Sequence, residues 1–170
     1  MQLLPQILLS FITILCSGVV AAIVTHKLNA RRDEREFMRK KLEELFSAVH
    51  GYNILFVSRN MLWPRVMSGD MDYDRVLDIN AEDKSGSPAH YENLQMLINI
   101  YFPEFLPRLG KMLESRDAIN GIKASFQKDY QSGVRTQEYC RPFDEKLLEF
   151  EARCDEFKQE IYRVAQRYHS

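Results

Sequence analysis

Apolar residues in this chain recur at helical intervals and nowhere alternate for long. Residues 3–25, LLPQILLSFITILCSGVVAAIVT, form an uncharged run of 23. At about 1.5 Å per residue, a helix of that length spans roughly 34 Å, enough to cross a hydrocarbon core of about 30 Å. Met38, Leu42, Leu45, Val49, Tyr52 and Phe56 then follow in alternating steps of four and three, a seam with a repeat of about 3.5 residues. Phe143, Leu147, Phe150, Cys154, Phe157, Ile161, Val164 and Tyr168 make a second seam, with Glu145, Glu149, Glu151, Arg153, Glu156, Lys158 and Arg163 between its members. Two shorter stripes lie between these, Tyr91–Leu94–Ile98–Tyr101 and Phe105–Leu109–Met112–Ile119–Phe126–Tyr130, the latter interrupted by Arg116.

Proline and glycine punctuate the pattern. Pro5 sits near the start of the apolar run, and no proline follows until Pro64, so one helix is expected to run from the apolar segment well into the first seam. Pro88 and Pro142 suit first-turn positions, Gly133 suits a helix end, and Pro103 with Pro107 marks a break between the middle helices. No window favours a strand. The expectation is an all-α protein: one N-terminal transmembrane helix continuing into a cytosolic antiparallel four-helix bundle.

Charge divides the chain into three. Residues 1–25 carry no charged side chain, residues 26–41 hold seven Lys/Arg against three Asp/Glu, and the remainder is acidic. The basic flank lies wholly C-terminal to the apolar run. By the positive-inside rule this predicts a single-pass protein of the bacterial inner (plasma) membrane, with its N-terminus outside and residues 26–170 in the cytoplasm. A secretory signal would instead carry a cationic start and a shorter apolar stretch. The expected parts are a transmembrane anchor (1–25), a basic juxtamembrane helical stem (26–41) and a cytosolic helical bundle (38–170).

Three groups of residues are candidates for interaction. Within the span, Gly18 and Ala22 stand four apart, as do Ser17 and Ala21. Small residues at that spacing either pair two transmembrane helices or simply face lipid. In the stem, Lys27, Arg31, Arg32, Arg35, Arg39, Lys40 and Lys41 either meet anionic headgroups or only set topology and solvate the helix. Glu36 is placed to pair with Lys40 and with Arg32. The third group lies in residues 68–88, a long acidic connection that also carries Met71, Tyr73, Val76, Leu77 and Ile79. These apolar residues predict either a short helix lying on the bundle or a partner-binding segment.

Chemistry at a catalytic or metal centre finds little support. Asp70, Asp72 and Asp74 suggest a calcium loop, but the positions that need Gly and Glu are Arg75 and Ala81. Cys140 and Cys154 lie roughly 20 Å apart along a helix and cannot bridge within it, and Cys16 is one more small apolar residue of the span. No ligand-spaced His/Cys set, phosphate loop or nucleophile elbow is present. His50 lies beside the first seam, like the histidine of a phosphotransfer helix, yet HGYN lacks the accompanying Lys. His26 and His90 are isolated. Arg163 and His169 resemble the Arg-x(4–6)-His pattern of HEPN ribonucleases in two residues, although Val164 stands where that pattern has a polar residue. The acidic domain argues against nucleic acid as a partner.

The layout as a whole resembles uncharacterised bacterial single-pass membrane proteins with a small helical cytosolic domain. The juxtamembrane stretch RRDEREFMRKKLEELF and the segment Leu97-Ile-Asn-Ile-Tyr101-Phe-Pro-Glu104 carry that resemblance. It implies the architecture and the inner-membrane site, and it implies no activity. The functional expectation is a non-enzymatic, membrane-tethered helical interaction module that binds a cytosolic partner or self-associates, with no cofactor and no small-molecule substrate. The alternatives are a self-assembling membrane-perturbing effector of a defence or toxin system and, third, a HEPN-like ribonuclease.

Overall fold

The structure is a computed structural model that describes residues 3–82, 89–134 and 136–168, with side chains from residue 21 onward, those of Glu82 and Ala89 aside. Among the described residues all regular structure is helical and no strand occurs. The elements are α1 (Leu3–Asn60), α2 (Trp63–Met67), α3 (Tyr73–Glu82), α4 (Ala89–Tyr101), a 3-10 turn (Pro103–Phe105), α5 (Leu106–Gln131) and α6 (Cys140–Gln166). The chain divides into two compact units, residues 1–40 and 41–170.

The first unit is helical. Residues 21–37 are exposed along their whole length, including the apolar Ile23, Val24, Leu28 and Phe37. Glu36 pairs with Lys40 at 3.3 Å, both side chains being more than half exposed, so the pair contributes only a few tenths of a kcal/mol. The expected Arg32–Glu36 pair is not formed: Glu36 turns to Lys40, the better orientation at this spacing, and Arg32 has no ion pair among the described residues. Among the described residues no helix is long and apolar enough to cross a membrane. The bulk of the uncharged run, residues 3–20, lies outside the residues whose side chains are described.

In the second unit the seams do what their spacing predicts. Leu42, Leu45, Val49 and Tyr52 of α1 are buried, as are Phe143, Phe150, Cys154, Phe157 and Ile161 of α6. Phe150 places its ring 4.4 Å from Phe56 and 6.2 Å from Tyr52. Phe46 and Tyr162 lie together further along, so α6 runs antiparallel to α1. On another side α4 also runs antiparallel to α1, with His90 against Gly51 at one end and Tyr101 over Lys41 at the other. α5 opposes α6: Phe105, just ahead of α5, packs on Phe157, Arg108 is ion-paired with Glu160, and Phe126 meets Tyr139 at the other end.

Local chemistry explains the breaks. The ring of Pro64 would strike the carbonyl of residue 60 if the helix continued, and α1 ends at Asn60. Pro64 falls instead within the first two positions of α2, where its missing N–H costs nothing. Pro103 opens the 3-10 turn between α4 and α5. Gly133, at φ 81°, follows the end of α5 in the left-handed region, which a residue with a Cβ occupies only with strain. Pro142 is exposed in the first turn of α6, while Pro88 lies outside the described residues.

The connection 68–88 is not a structureless loop. It folds residues 73–82 into α3 because Tyr73 and Val76, one turn apart, both find apolar cover. The Tyr73 ring lies 5.6 Å from Trp63 and 5.1 Å from Tyr130. Ser68 donates to Asp70 at 2.8 Å, and Asp72 accepts the Asp74 N–H at 3.3 Å where α3 begins. These aspartates therefore stabilise a turn and a helix start.

Two stability predictions follow from this packing. Phe150→Ala should lower the unfolding free energy by about 3–5 kcal/mol in a denaturant titration, because the ring is fully buried between α1 and its own helix. At Gly51 a Cβ would come 2.8 Å from the His90 ring. Gly51→Ala alone should therefore change stability little, its helix-propensity gain of about 1 kcal/mol offset by displacement of His90. In a His90→Ala background the full gain should appear, and a double-mutant cycle measures the coupling.

Candidate interaction surface

Outside the core, α1 and α6 share a face that nothing in the second unit covers. On α1, Phe46, His50, Ile54 and Val57 follow at helical spacing, with Met61 just past its end; Phe46 is 40% exposed, Ile54 54% and Met61 63%. On α6, Leu148, Ala152, Asp155, Gln159 and Tyr162 repeat in steps of four and three, with Leu148 66% and Tyr162 61% exposed. The stripes run side by side because their helices are antiparallel neighbours. Between them lie two adjoining depressions of about 500 and 330 Å³, both walled by Phe46 and Tyr162. The smaller has Leu42, Ile161 and Ala165 in its wall, while Asp155, Lys158 and Arg163 border the larger. Lys158 is held by Asp155 at 2.6 Å. Arg163 is exposed and has no ion pair among the described residues. Large apolar side chains left in the open beside charged rims are what an interaction surface presents.

The residues singled out from sequence are distributed differently. Ser17 and Gly18 lie outside the residues whose side chains are described; Ala21 and Ala22 are exposed. Lys27, Arg31, Arg32, Arg35 and Lys40 are exposed on the first unit, and Arg39 is half-buried. Lys41 belongs to the second unit, where Glu44 holds it at 2.7 Å and its ammonium lies 5.6 Å from the Tyr101 ring. In α3, Tyr73 and Val76 are spent on the protein's own core, and Met71 is half-buried. Leu77 and Ile79, 44% and 37% exposed, are about 200° apart around the helix, so they flank α3 on opposite sides and form no single apolar face. Arg163 is on α6, and His169 lies outside the described residues. Among the described residues no group of three or more His, Cys, Asp or Glu is placed to hold a metal ion.

Two part-buried cations lie among the helices, each with a specific partner. Arg116, which interrupts the α5 stripe, pairs with Asp117 at 2.7 Å and lies 5.7 Å from the Tyr91 ring. Burial opposes its charge, but the nearby Tyr52 hydroxyl and Asp117 outweigh it and raise its pKa. The Tyr52 phenol is itself pushed up by burial, with Arg116 drawing it partly back. Lys123 donates to Asn60 Oδ1 at 3.1 Å and stands 4.7 Å from the centre of the Trp63 ring, with no carboxylate against it among the described residues. Asn60 is only 2% exposed and donates in turn to the Phe56 carbonyl at 2.7 Å, so Lys123 ties α5 to the end of α1. Cys154 is buried, its thiol pushed up to about 12 by desolvation, which makes it unreactive at neutral pH. Cys140 is half-buried and also raised by burial.

No protein-family model, curated protein or solved structure matches the chain, so function is argued from its own residues.

Sequence reasoning missed the α1/α6 face. Its signal was present as large apolar residues beside the core seams, Phe46, Ile54 and Val57 on α1 and Leu148 and Tyr162 on α6, but only the pairing of the two helices joins them.

Lys123 generates a pH prediction. Desolvation lowers its pKa in the folded chain below the ordinary 10.5. Between that lowered value and 10.5 the unfolded chain holds a proton that the folded chain has released, so stability rises with pH across this window. Lys123→Met should remove that contribution. The stability difference between wild type and variant, measured by urea titration from pH 7 to 10.5, is expected to grow in favour of the wild type as pH rises.

Proposed function

We propose that the protein is a non-enzymatic, membrane-tethered helical module that docks a protein partner on the outer face of α1 and α6. The observation that carries this is the open groove between Phe46 and Tyr162, continued by exposed Ile54, Met61 and Leu148. Large apolar side chains stand open there among the polar ones, whereas the rest of the exposed α6 surface carries a ladder of Arg141–Glu145, Lys146–Glu149 and Arg153–Glu156 pairs. In this reading α4, α5, α6 and the α1 segment from Lys41 make an antiparallel four-helix bundle, supported by the opposed directions of α1 with α4, α1 with α6, and α5 with α6.

The tether rests on the uncharged run 3–25 followed by the basic stretch 26–41, which together favour an inner-membrane anchor with the bundle in the cytoplasm. Exposed Ile23 and Val24 at the end of that run suit burial in lipid. The resemblance to bacterial single-pass proteins points the same way.

Two measurements on the full chain test the proposal. The protein should stay in the membrane fraction through alkaline carbonate extraction, whereas a chain lacking residues 1–25 should be released. A photo-crosslinking amino acid at position 46 should capture a defined protein in expressing cells. Tyr162→Asp should reduce that capture at least tenfold while leaving helical content unchanged, and capture indifferent to Tyr162→Asp would exclude the groove as the docking site.

A further inference from the structure

The geometry points to a second copy of this chain as the occupant of the α1/α6 face, in a parallel two-fold dimer with α1 of each copy against α6 of the other. The inference rests on the docking reading above and names its partner. Three observations lead to it.

The face is built for helices. Its outward positions on α6 recur in steps of four and three (Leu148, Ala152, Asp155, Gln159, Tyr162), apolar at the two ends and polar at the centre, beside Phe46, Ile54 and Val57 of α1, and helical stripes of this kind pack against one another.

The face is also complementary to itself in one orientation. A two-fold axis parallel to the helices sets α1 against the other copy's α6 at the same level. Levels are fixed by Phe46 beside Tyr162 and Phe56 against Phe150. Counting equally from these along antiparallel helices, Met61 comes within a turn of Leu148, and Ile54 within a turn of Ala152. In the dimer Phe46 therefore meets Tyr162 of the other copy, and Met61 meets Leu148. At the end of the stripe Glu43 comes within a turn of the other copy's Arg163, which has no ion pair in its own chain among the described residues. An isologous interface forms each of these contacts twice.

The opposite orientation is worse. With the axis perpendicular to the helices, α6 faces the reversed α6, and Asp155, at the middle of its stripe, approaches the Asp155 of the other copy. Like charges so placed repel, in part offset by the Lys158 that each Asp155 holds at 2.6 Å. Two copies tethered through the same end to one membrane are moreover held parallel before they touch, and shared tethering raises their effective concentration.

The test uses the full chain in the membrane fraction of cells that express two differently tagged copies, each Cys16→Ser and Cys140→Ser, with Cys154 left buried. One copy carries Met61→Cys and the other Leu148→Cys. A short bis-maleimide is expected to join them. Leu148→Cys in one copy and Tyr162→Cys in the other should not be joined, since these positions lie about 21 Å apart along α6. Glu43→Arg in both copies should lower the Met61–Leu148 product at least tenfold, and adding Arg163→Glu to both should restore it. The reverse pattern, a Leu148–Tyr162 product without Met61–Leu148, would overturn the parallel dimer, as would loss in Glu43→Arg that Arg163→Glu fails to restore. If copies never cross-link while position 46 captures a different protein, the second copy is excluded and the docking reading stands. If neither happens, both fail.

Discussion

Phe150 sits with its ring against Phe56 and Tyr52, and the second unit takes its register from that contact. A fully buried aromatic side chain contributes several kcal/mol, far more than any of the exposed ion pairs along α6. Once Phe150 is seated, α6 has no freedom to slide on α1. Phe46 then stands opposite Tyr162, and the outward stripes of the two helices line up as one face. α5 follows, because Phe157 and Glu160 on α6 meet Phe105 and Arg108. The candidate interaction surface is thus a consequence of core packing, and the core residues Leu42 and Ile161 form part of its wall.

The inward-facing cations sharpen that register. Arg116 and Lys123, two turns apart on α5, both face α1, Arg116 beside the Tyr52 hydroxyl and Lys123 donating to the Asn60 amide oxygen. A shift of α5 by one turn would leave the part-buried Lys123 ammonium without that acceptor, at a cost larger than the net gain of the bond itself. The aromatic faces of Tyr91 and Trp63 complete the two sites. These groups therefore select one packing from several that an apolar stripe alone would allow.

Much of the fold is legible in the sequence for a simple reason: a 3.5-residue repeat records which side of a helix is dry. The seams on α1 and α6, the short stripe of α4 and the proline break before α5 all appear where the spacing puts them. Arg116 reads as an interruption of its stripe, since a sequence does not show that a phenol on another helix waits for it. The acidic connection reads as irregular because its composition is polar, and only Trp63 and Tyr130, distant from it in sequence, give Tyr73 the apolar cover that makes α3 worth forming. The same burial removes Tyr73 and Val76 from any role as a partner's contact.

The sequence by itself determined the helical class, the three-part charge pattern and the inward residues of each long helix, because these depend on local periodicity and composition. The tertiary structure alone decided which helices are neighbours, and with that the exposed face formed by Phe46, Ile54, Met61, Leu148 and Tyr162. The residues of α1 and α6 are about a hundred positions apart in the chain, and periodicity within one helix carries no information about what lies beside it. Their union into one surface arises only when the buried aromatic contact fixes two antiparallel helices side by side.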